Sequence, residues 1–383
     1  MRMHEVSTAA DKKAFLDMAV GLYKGDPNYI RPLDKDIEEV FDPEKNKFLK
    51  KGACIRWILF DDNNKPIGRI AAFVNKQYKE EQPTGGIGFF ECINDREAAH
   101  FMFGYCKDWL QQRGMEAMDG PINFGERDKW WGLVVEGFAE PLYGMNYNPP
   151  YYKDLFESYG FQVFFNQVCF AAPLNHHFSD KYYTRHKKLA EDGNYKAVHI
   201  KKDQLPRFAK DFAAIYNKAW ASHGGGKTLD ERQVVKMFET MKPVMDERIV
   251  WFTYYKDEPI AFWVNLPDLN QFFKYMNGKF GLLQKLKFLY LQRFGKCDRI
   301  VGIVFGIIPE YQGKGVDAFM IMEAAKVIQN ELSYTQFEMQ WIGDFNPKMI
   351  NVAETLDPVR SRILSTYRYL FDRTKEFKRH RVL

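Results

Sequence analysis

FGIIPEYQGKGVDAFMIMEAA, residues 305–325, decides how the rest of the chain is read. The apolar run 299–308 that enters it reads as a buried strand, and Pro309 stops its ladder because it has no N–H to donate. Gln312-Gly313-Lys314-Gly315-Val316-Asp317 then leads straight into a helical pattern over 317–332. The N–H groups at a helix start point at whatever lies there, and the helix dipole favours an anion. The two glycines allow close approach of backbone to a ligand. Taken alone, this spacing serves a pyrophosphate cradle and an unliganded strand-to-helix turn about equally.

Working outward, the chain reads as two halves of like order. Toward the C-terminus a strand over 335–342, a helix over 346–356 and a strand over 363–371 lead to a basic tail. Upstream lie helices over 205–220 and 231–242, a hairpin of 248–255 and 260–266, and an amphipathic segment over 277–295. That segment is either a helix packed on its domain or a lid or partner surface. The first half has a helix over 11–23, a hairpin of 54–60 and 67–74, and a strand over 86–93. A helix over 96–112, capped by Asn94 or Asp95, follows, then a strand over 118–122, a helix closed by Gly160 and a strand over 164–172. The expected division is 1–175, a polar patternless linker over 176–198, and 199–383. The fold class is α/β (α+β), with mixed, mostly antiparallel sheets flanked by helices.

At the opening stretch the chain resembles the GCN5-related N-acetyltransferases, the GNAT superfamily. The resemblance rests on Q-x-x-G-x-G/A between a strand and a long helix, matched by Gln312, Gly313, Lys314 and Gly315. Asp317 stands at the last Gly/Ala position, with Ala318 beside it, and is expected to cap the helix. EMQWIGDFNPKMINVAETL is similar to the family's later strand and Asn-initiated helix, and TYRYLFD to the strand that closes many such domains. GPINFGERDKWWGLVVEGFAEPLYGMNYNPPYYKDLFESYGF extends the likeness to the first half, and with VNLPDLNQ the layout resembles a group of bacterial two-domain GNAT-like proteins.

The resemblance implies two tandem acyl-CoA N-acyltransferase domains. It places acetyl-CoA or another acyl-CoA on Ile307, Ile308, Gln312, Gly313, Lys314, Gly315, Val316, Asp317, Ala318 and Asn346. It implies N-acyl transfer, with acetyl the first expectation, to an amine-bearing small molecule or peptide held between the domains. Glu338 is the candidate general base, with a structural role the favoured alternative, and Tyr367 or Tyr369 is the candidate acid for the departing thiolate. An aminoacyl or long-chain acyl transferase, and a binding module with a degenerate site, are the rivals. In the first half ECINDREAAH carries Glu91, Asp95 and Glu97 and no glycine, so that helix start would repel a pyrophosphate. Trp130, Trp131, Tyr143, Tyr147, Tyr151 and Tyr152 are divided between an acceptor groove and the core.

Of the 383 residues 46% are hydrophobic and 27% charged, which excludes a disordered chain. Five scattered cysteines without C-x-x-C spacing argue against a disulfide scaffold or a zinc ribbon, and a reduced cytoplasm is expected. No apolar run approaches the roughly 20 residues of a spanning helix, and no signal peptide is read at the N-terminus. Residues 1–175 carry 21 Lys/Arg and 26 Asp/Glu, and residues 176–383 carry 34 and 24. The basic second half suits an anionic ligand. Neither a nucleic-acid nor a membrane partner is expected, nor a metal. Ala221–Thr228 nearly matches a phosphate-binding loop but follows an amphipathic helix, so it is not read as a nucleotide site. His176, His177 and His186 read as linker histidines, and KEFKRHRVL as a surface tail.

Overall fold

The chain opens with β1 (Arg2–Glu5) and α1 (Ala9–Leu22), whose start is fixed by a capping box between Thr8 and Asp11. After α2 (Asp34–Val40) comes the hairpin β2 (Gly52–Phe60) and β3 (Pro66–Asn75), with Asn64 in the left-handed region at its turn. β4 (Thr84–Cys92) leads to α3 (Arg96–Gln111), capped by the Asp95 carboxylate, which accepts from Ala98 N–H. β5 (Ala117–Gly120), β6 (Leu133–Glu136), α4 (Tyr152–Tyr159) and β7 (Gln162–Pro173) complete the first half, and left-handed Gly160 ends α4. The core between α3, α4 and the sheet is aromatic: Phe103 stacks on Phe90 and meets Phe156 and Phe161 edge-on or tilted at about 5 Å. Burying each such ring is worth about 1.5–3 kcal/mol.

The second half contains α5 (Asp180–Ala190), β8 (Tyr195–His199), α6 (Leu205–Trp220) and α7 (Glu231–Met241). A hairpin follows, β9 (Val250–Tyr255) and β10 (Glu258–Pro267). Its two turn residues, Lys256 and Asp257, both have positive φ, the twist that a two-residue hairpin requires. Next are α8 (Asn270–Phe273), α9 (Leu282–Phe294), β11 (Arg299–Ile307) and α10 (Val316–Glu331). β12 (Gln336–Met339), β13 (Ile342–Gly343), α11 (Pro347–Glu354) and β14 (Val359–Leu370) end the order.

These assignments belong to a computed structural model that describes residues 1–76, 82–125, 127–175, 178–220, 228–356 and 358–383. His176, His177 and nearly all of Ala221–Thr228 lie outside the described residues. The stretch read as patternless linker holds α5 and β8. Tyr182, His186 and Leu189, at i, i+4 and i+7, turn one face of α5 onto α10.

Among the described residues the strands form one sheet in the order β1-β2-β3-β4-β5-β14-β7-β12-β11-β10-β9-β8, mixed and mostly antiparallel, as the sequence led one to expect. The two halves exchange their last strands. β14, from the second half, pairs with β5 of the first, while β7, from the first half, pairs with β12 of the second. β7 and β14 run antiparallel from Val359↔Ala171 to Arg368↔Gln162 and weld the halves together. The strand expected to close the second domain therefore closes the first. The C-terminal tail is docked rather than loose: His380 stacks on Phe345 at 4.1 Å, Leu383 N–H donates to Phe345 C=O, and Arg379 pairs with Asp344.

Candidate active-site groove

In each half one parallel pair of strands starts together and then parts. β4 and β5 pair only at Thr84↔Ala117 to Gly86↔Asp119, and β11 and β12 only at Arg299↔Gln336 to Gly302↔Met339. In the first half the chain itself fills the wedge: Ile122 N–H donates to Ile87 C=O, and a side chain at Gly88 would collide with the Ile122 carbonyl. In the second half the last bond is Gln340 N–H to Gly302 C=O at 2.9 Å, and beyond it β11 has no ladder partner on that side. The β10–β11 register slips at the same place. Val264 faces Val304 and Asn265 faces Gly302, so Ile303 is a bulged residue at the fork. Ile303 is 38% exposed although its strand lies inside the sheet.

The fork opens into a groove of about 430 Å³, walled mainly by apolar side chains that include Trp263, Phe305, Phe337, Met339, Met349 and Val352. A smaller apolar cavity of about 40 Å³ shares Trp263, Ile321, Phe337, Met339 and Leu356 with it and runs inward toward Phe178 and Pro358. Of the expected cofactor residues, Asp317 and Asn346 line the groove, and Ile307, Ile308, residues 312–316 and Ala318 do not. Beyond the end of β11, Pro309–Tyr311 forms one 3-10 turn, and Gly313 and Gly315 take φ +72° and +90°. Only glycine adopts these values without strain. The Gln312 side chain donates to Ile307 C=O at 3.0 Å, tying the turn to the end of β11. Ile308 is buried, and its N–H donates to Ile260 C=O, so it anchors the strand end. No side chain caps α10, and nothing stands within 4 Å of where a Cβ on Gly313 would be. Among the described residues the first N–H groups of α10 thus have no capping side chain, while Leu189 and Arg185 of α5 pack beside Gly315. Lys314 reaches over the ring of Tyr311.

Asp317 does not cap the helix, contrary to expectation. Gly315 is the cap residue, Val316 and Asp317 are the first two helical residues, and the Asp317 carboxylate lines the groove with Arg185 of α5 at 3.9 Å. Ala318 is buried and packs with Tyr182 and Ile321, two residues of the groove wall. Below this, His186 bonds Glu323 at 2.6 Å. Burial pushes the Glu323 carboxyl up, but the Lys326 and His186 contacts outweigh it and hold the pKa below the usual value. Asn346 caps α11 by accepting from Met349 N–H, and it lines the groove as well. Tyr182 also faces the groove, with its hydroxyl on Thr355 and its pKa raised, chiefly by burial.

The three expected catalytic side chains are elsewhere. Glu338, 4% exposed, accepts from Ser361 at 2.9 Å and from Arg362 at 3.2 Å, and lies 3.7 Å from Arg299. Arg299 in turn grips Asp268 at 2.6 Å, and Arg362 reaches the Glu140 carbonyl. This buried chain of charges joins β10, β11, β12 and β14 across the exchange. Tyr367 and Tyr369 ride on β14 into the core of the first half, where Tyr367 donates to Glu157 and Tyr369 packs on Tyr159. Neither lines the groove.

The first half supplies two other features. Its loop brings Arg127 and Asp128 to the groove wall, with Arg127 lying over Trp131 and Phe165. The first half also holds a cavity of about 360 Å³ beside the β4–β5 pair, lined by Gly86, Asp119, Ile122, Arg127 and Trp131 among others, and a smaller one of about 70 Å³, bounded by Arg69, Glu91, Trp130, Tyr143, Tyr147 and Tyr152 among others. Glu91 accepts from Tyr23 and Tyr152, with Arg69 at 3.4 Å. Burial raises its pKa against the pull of that guanidinium. Trp131 and Tyr151 are outside the smaller cavity's lining. Sequence reading missed Arg185 and the α11 wall. The signal was present as helical spacing, 182-186-189 in α5 and 349-352 in α11, with Leu356 continuing the face just past the helix end.

No protein-family model matches the chain. A bacterial ceramide synthase of Caulobacter vibrioides is 25% identical over 374 residues, 94% of this chain and 95% of that protein. Protein YghO of Escherichia coli is 24% identical over 355 residues, 90% and 89% of the two chains. Among solved structures, a tandem GNAT protein from the clavulanic acid biosynthesis pathway superposes with a TM-score of 0.54 at 11% identity, covering 97% of this chain and 99% of its own. A GCN5-related N-acetyltransferase from Sphaerobacter thermophilus gives a TM-score of 0.52 at 8% identity, with 96% of each chain covered. The fold is a tandem GNAT-like fold.

Proposed function

We propose that this chain, built on the tandem GNAT-like fold, transfers a long acyl group from coenzyme A to an amine. The observation that carries the reading is the apolar groove at the β11–β12 fork, whose wall includes Asp317 in the first turn of α10, two residues past Gly315. The N–H groups of the Gly313–Gly315 turn and of α10 would take the pyrophosphate. The pantetheine arm would lie along the unpaired edge of β11. The bulge at Ile303 frees backbone N–H groups at the fork, where they can polarise the thioester carbonyl. The acyl chain would run into the apolar cavity between Trp263, Phe337 and Leu356. In the transfer, the amine nitrogen forms a bond to the carbonyl carbon, the C–S bond breaks, and the amine's proton leaves as the thiolate gains one. Asp128 is the exposed carboxylate on the groove wall and our candidate to accept the amine proton. Glu338 is engaged by arginines and is assigned to the junction.

A long chain is favoured over acetyl by the volume of the groove, about 430 Å³, and its apolar lining. The relative named as a ceramide synthase supports the same class, since a ceramide is the amide of a long-chain amino alcohol. Asp317 on the groove wall favours a second reading, a binding protein that holds an acyl ligand without transfer, although Arg185 offsets its charge. Calorimetric titration with palmitoyl-CoA and acetyl-CoA, with Gly315→Glu as control, separates the cases. Saturable binding of palmitoyl-CoA that the variant weakens at least tenfold, followed by release of free CoA on adding a long-chain amino alcohol, is the expected result. Binding without CoA release from any amine supports the binding protein. No binding of either thioester refutes both.

A further inference from the structure

We propose that α9 and its flanking loops dock this protein on the surface of an anionic lipid bilayer. The helix LLQKLKFLYLQRF is half seated. Phe288 and Leu291 pack onto Phe272, Phe273, Met276 and Leu33, which fixes the helix firmly against the body. The opposite face carries Leu282, Leu283, Leu286, Leu289, Tyr290 and Phe294, each 57–76% exposed. At 100° per residue these six side chains fall within an arc of roughly 140°. Apolar residues singly exposed are ordinary, but six on one face of one helix form a patch that water does not favour.

The charges around the patch choose its partner. Residues 269–297 contain six cations (Lys274, Lys279, Lys285, Lys287, Arg293 and Lys296) and no Asp or Glu. Lys285 and Lys287 border the arc on its two sides, and Arg293 lies within it, where a long side chain can spread its stem on the apolar surface and keep its head in water. Lys274 and Lys296 are paired with Glu140 and Asp298, and Lys287 donates to Tyr275 C=O. Two copies of this chain meeting through α9 would oppose like charges. A bilayer with anionic headgroups satisfies both halves of the face at once, with apolar side chains in the acyl boundary and cations among the phosphates. Among the described residues no helix is long and apolar enough to cross a membrane, so the contact lies in the plane of the surface. Tyr275, 52% exposed next to Lys287, adds an aromatic ring of the kind that settles at headgroup level.

The test is flotation of the full chain with vesicles of mixed phosphatidylglycerol and phosphatidylcholine, beside vesicles of phosphatidylcholine alone. The expected result is binding to the first, weak or no binding to the second, and release as salt rises. Leu283→Glu/Leu286→Glu should lower the bound fraction at least tenfold with an unchanged melting profile, since both side chains already face water. Lys285→Glu/Arg293→Glu should lower binding to the anionic vesicles alone. No binding to the anionic vesicles, or equal binding by wild type and both variants, overturns the proposal. So does a dimer, seen by light scattering, that the leucine variant dissolves. The assay contains no thioester, so its failure leaves the acyl-transfer reading untouched.

Discussion

Glu338→Gln separates a general base from a structural carboxylate. Glu338 is 4% exposed and accepts from Ser361 and Arg362, with Arg299 close by. Removing the carboxylate leaves the two arginines unequal. Arg299 keeps Asp268 at 2.6 Å, but Arg362 keeps only the Glu140 carbonyl, and its Nη1 is already buried without a partner. Breaking a buried pair by deleting one partner costs about 3–5 kcal/mol. The retained Arg299–Asp268 pair puts Glu338→Ala near the low end, about 3 kcal/mol. Glutamine keeps the shape and the Ser361 bond but loses a charged acceptor, so Glu338→Gln should cost about 2 kcal/mol. With a urea slope of about 3 kcal/mol/M, the midpoints fall by about 1 M and about 0.7 M. Urea unfolding followed by fluorescence, beside a pH profile of acyl transfer on the folded variant, is the assay. The expected profile is that of the wild type. A Glu338→Gln protein with the wild-type midpoint and a lost acidic limb in kcat/KM would refute the structural assignment and restore Glu338 as the base.

Leu356→Trp should fill the small cavity behind Phe337 and Met339 and shorten the accepted acyl chain, read as a drop of at least tenfold in palmitoyl-CoA affinity with shorter thioesters retained. Against the effect of burial, the Lys326 and His186 contacts hold the folded-state pKa of Glu323 below the usual carboxylate value of 4.5, so its contribution is complete above that value and is lost as pH falls through the folded pKa. Glu323→Gln should therefore lower the melting temperature near neutrality and change little at pH 3, which flattens the acid limb of the stability curve measured by melting from pH 3 to pH 7. Burial pushes the thiol of Cys54 up to about 11 and that of Cys92 up to about 12. At pH 8 the Cys54 thiolate is then about a hundredfold scarcer than in a free cysteine of pKa near 9, so native alkylation, followed by mass spectrometry, should be slow and should accelerate on unfolding.

The part of the fold that local pattern controls was legible. Alternation marked the hairpins, Asp95 and Asn346 cap the helices they were read to start, and the Gln312–Gly315 turn stands between a strand and a helix. The exchange of β7 and β14 was not legible. A buried strand presents the same apolar run whichever neighbour it pairs with, and register alone distinguishes the neighbours. That one ambiguity carried Tyr367 and Tyr369 to the wrong half. Asp317 was misassigned for a different reason. A carboxylate near a helix start reads as a cap, but left-handed Gly315 already occupies that position and pushes Asp317 into the first turn. The α5 helix was hidden by its charge, because Lys181, Arg185, Lys187 and Lys188 mask the face that Tyr182, His186 and Leu189 turn to α10.

The exchange also explains why the groove belongs to neither half alone. Residues between Gly302 and Leu356 form most of its wall, yet Arg127 and Asp128 come from the first half. β13, whose two residues line the groove, is held by pairing with β7. The C-terminal tail returns to stack His380 on Phe345, another wall residue, and against Phe165 of β7. The filled fork of the first half and the open fork of the second are thus parts of one device. The first half gave up its own wedge to the chain around Ile122, and its last strand instead supports the wedge that remains open. A site divided in this way needs both halves in register, which the buried Arg368–Asp119 pair between β14 and β5 helps to fix.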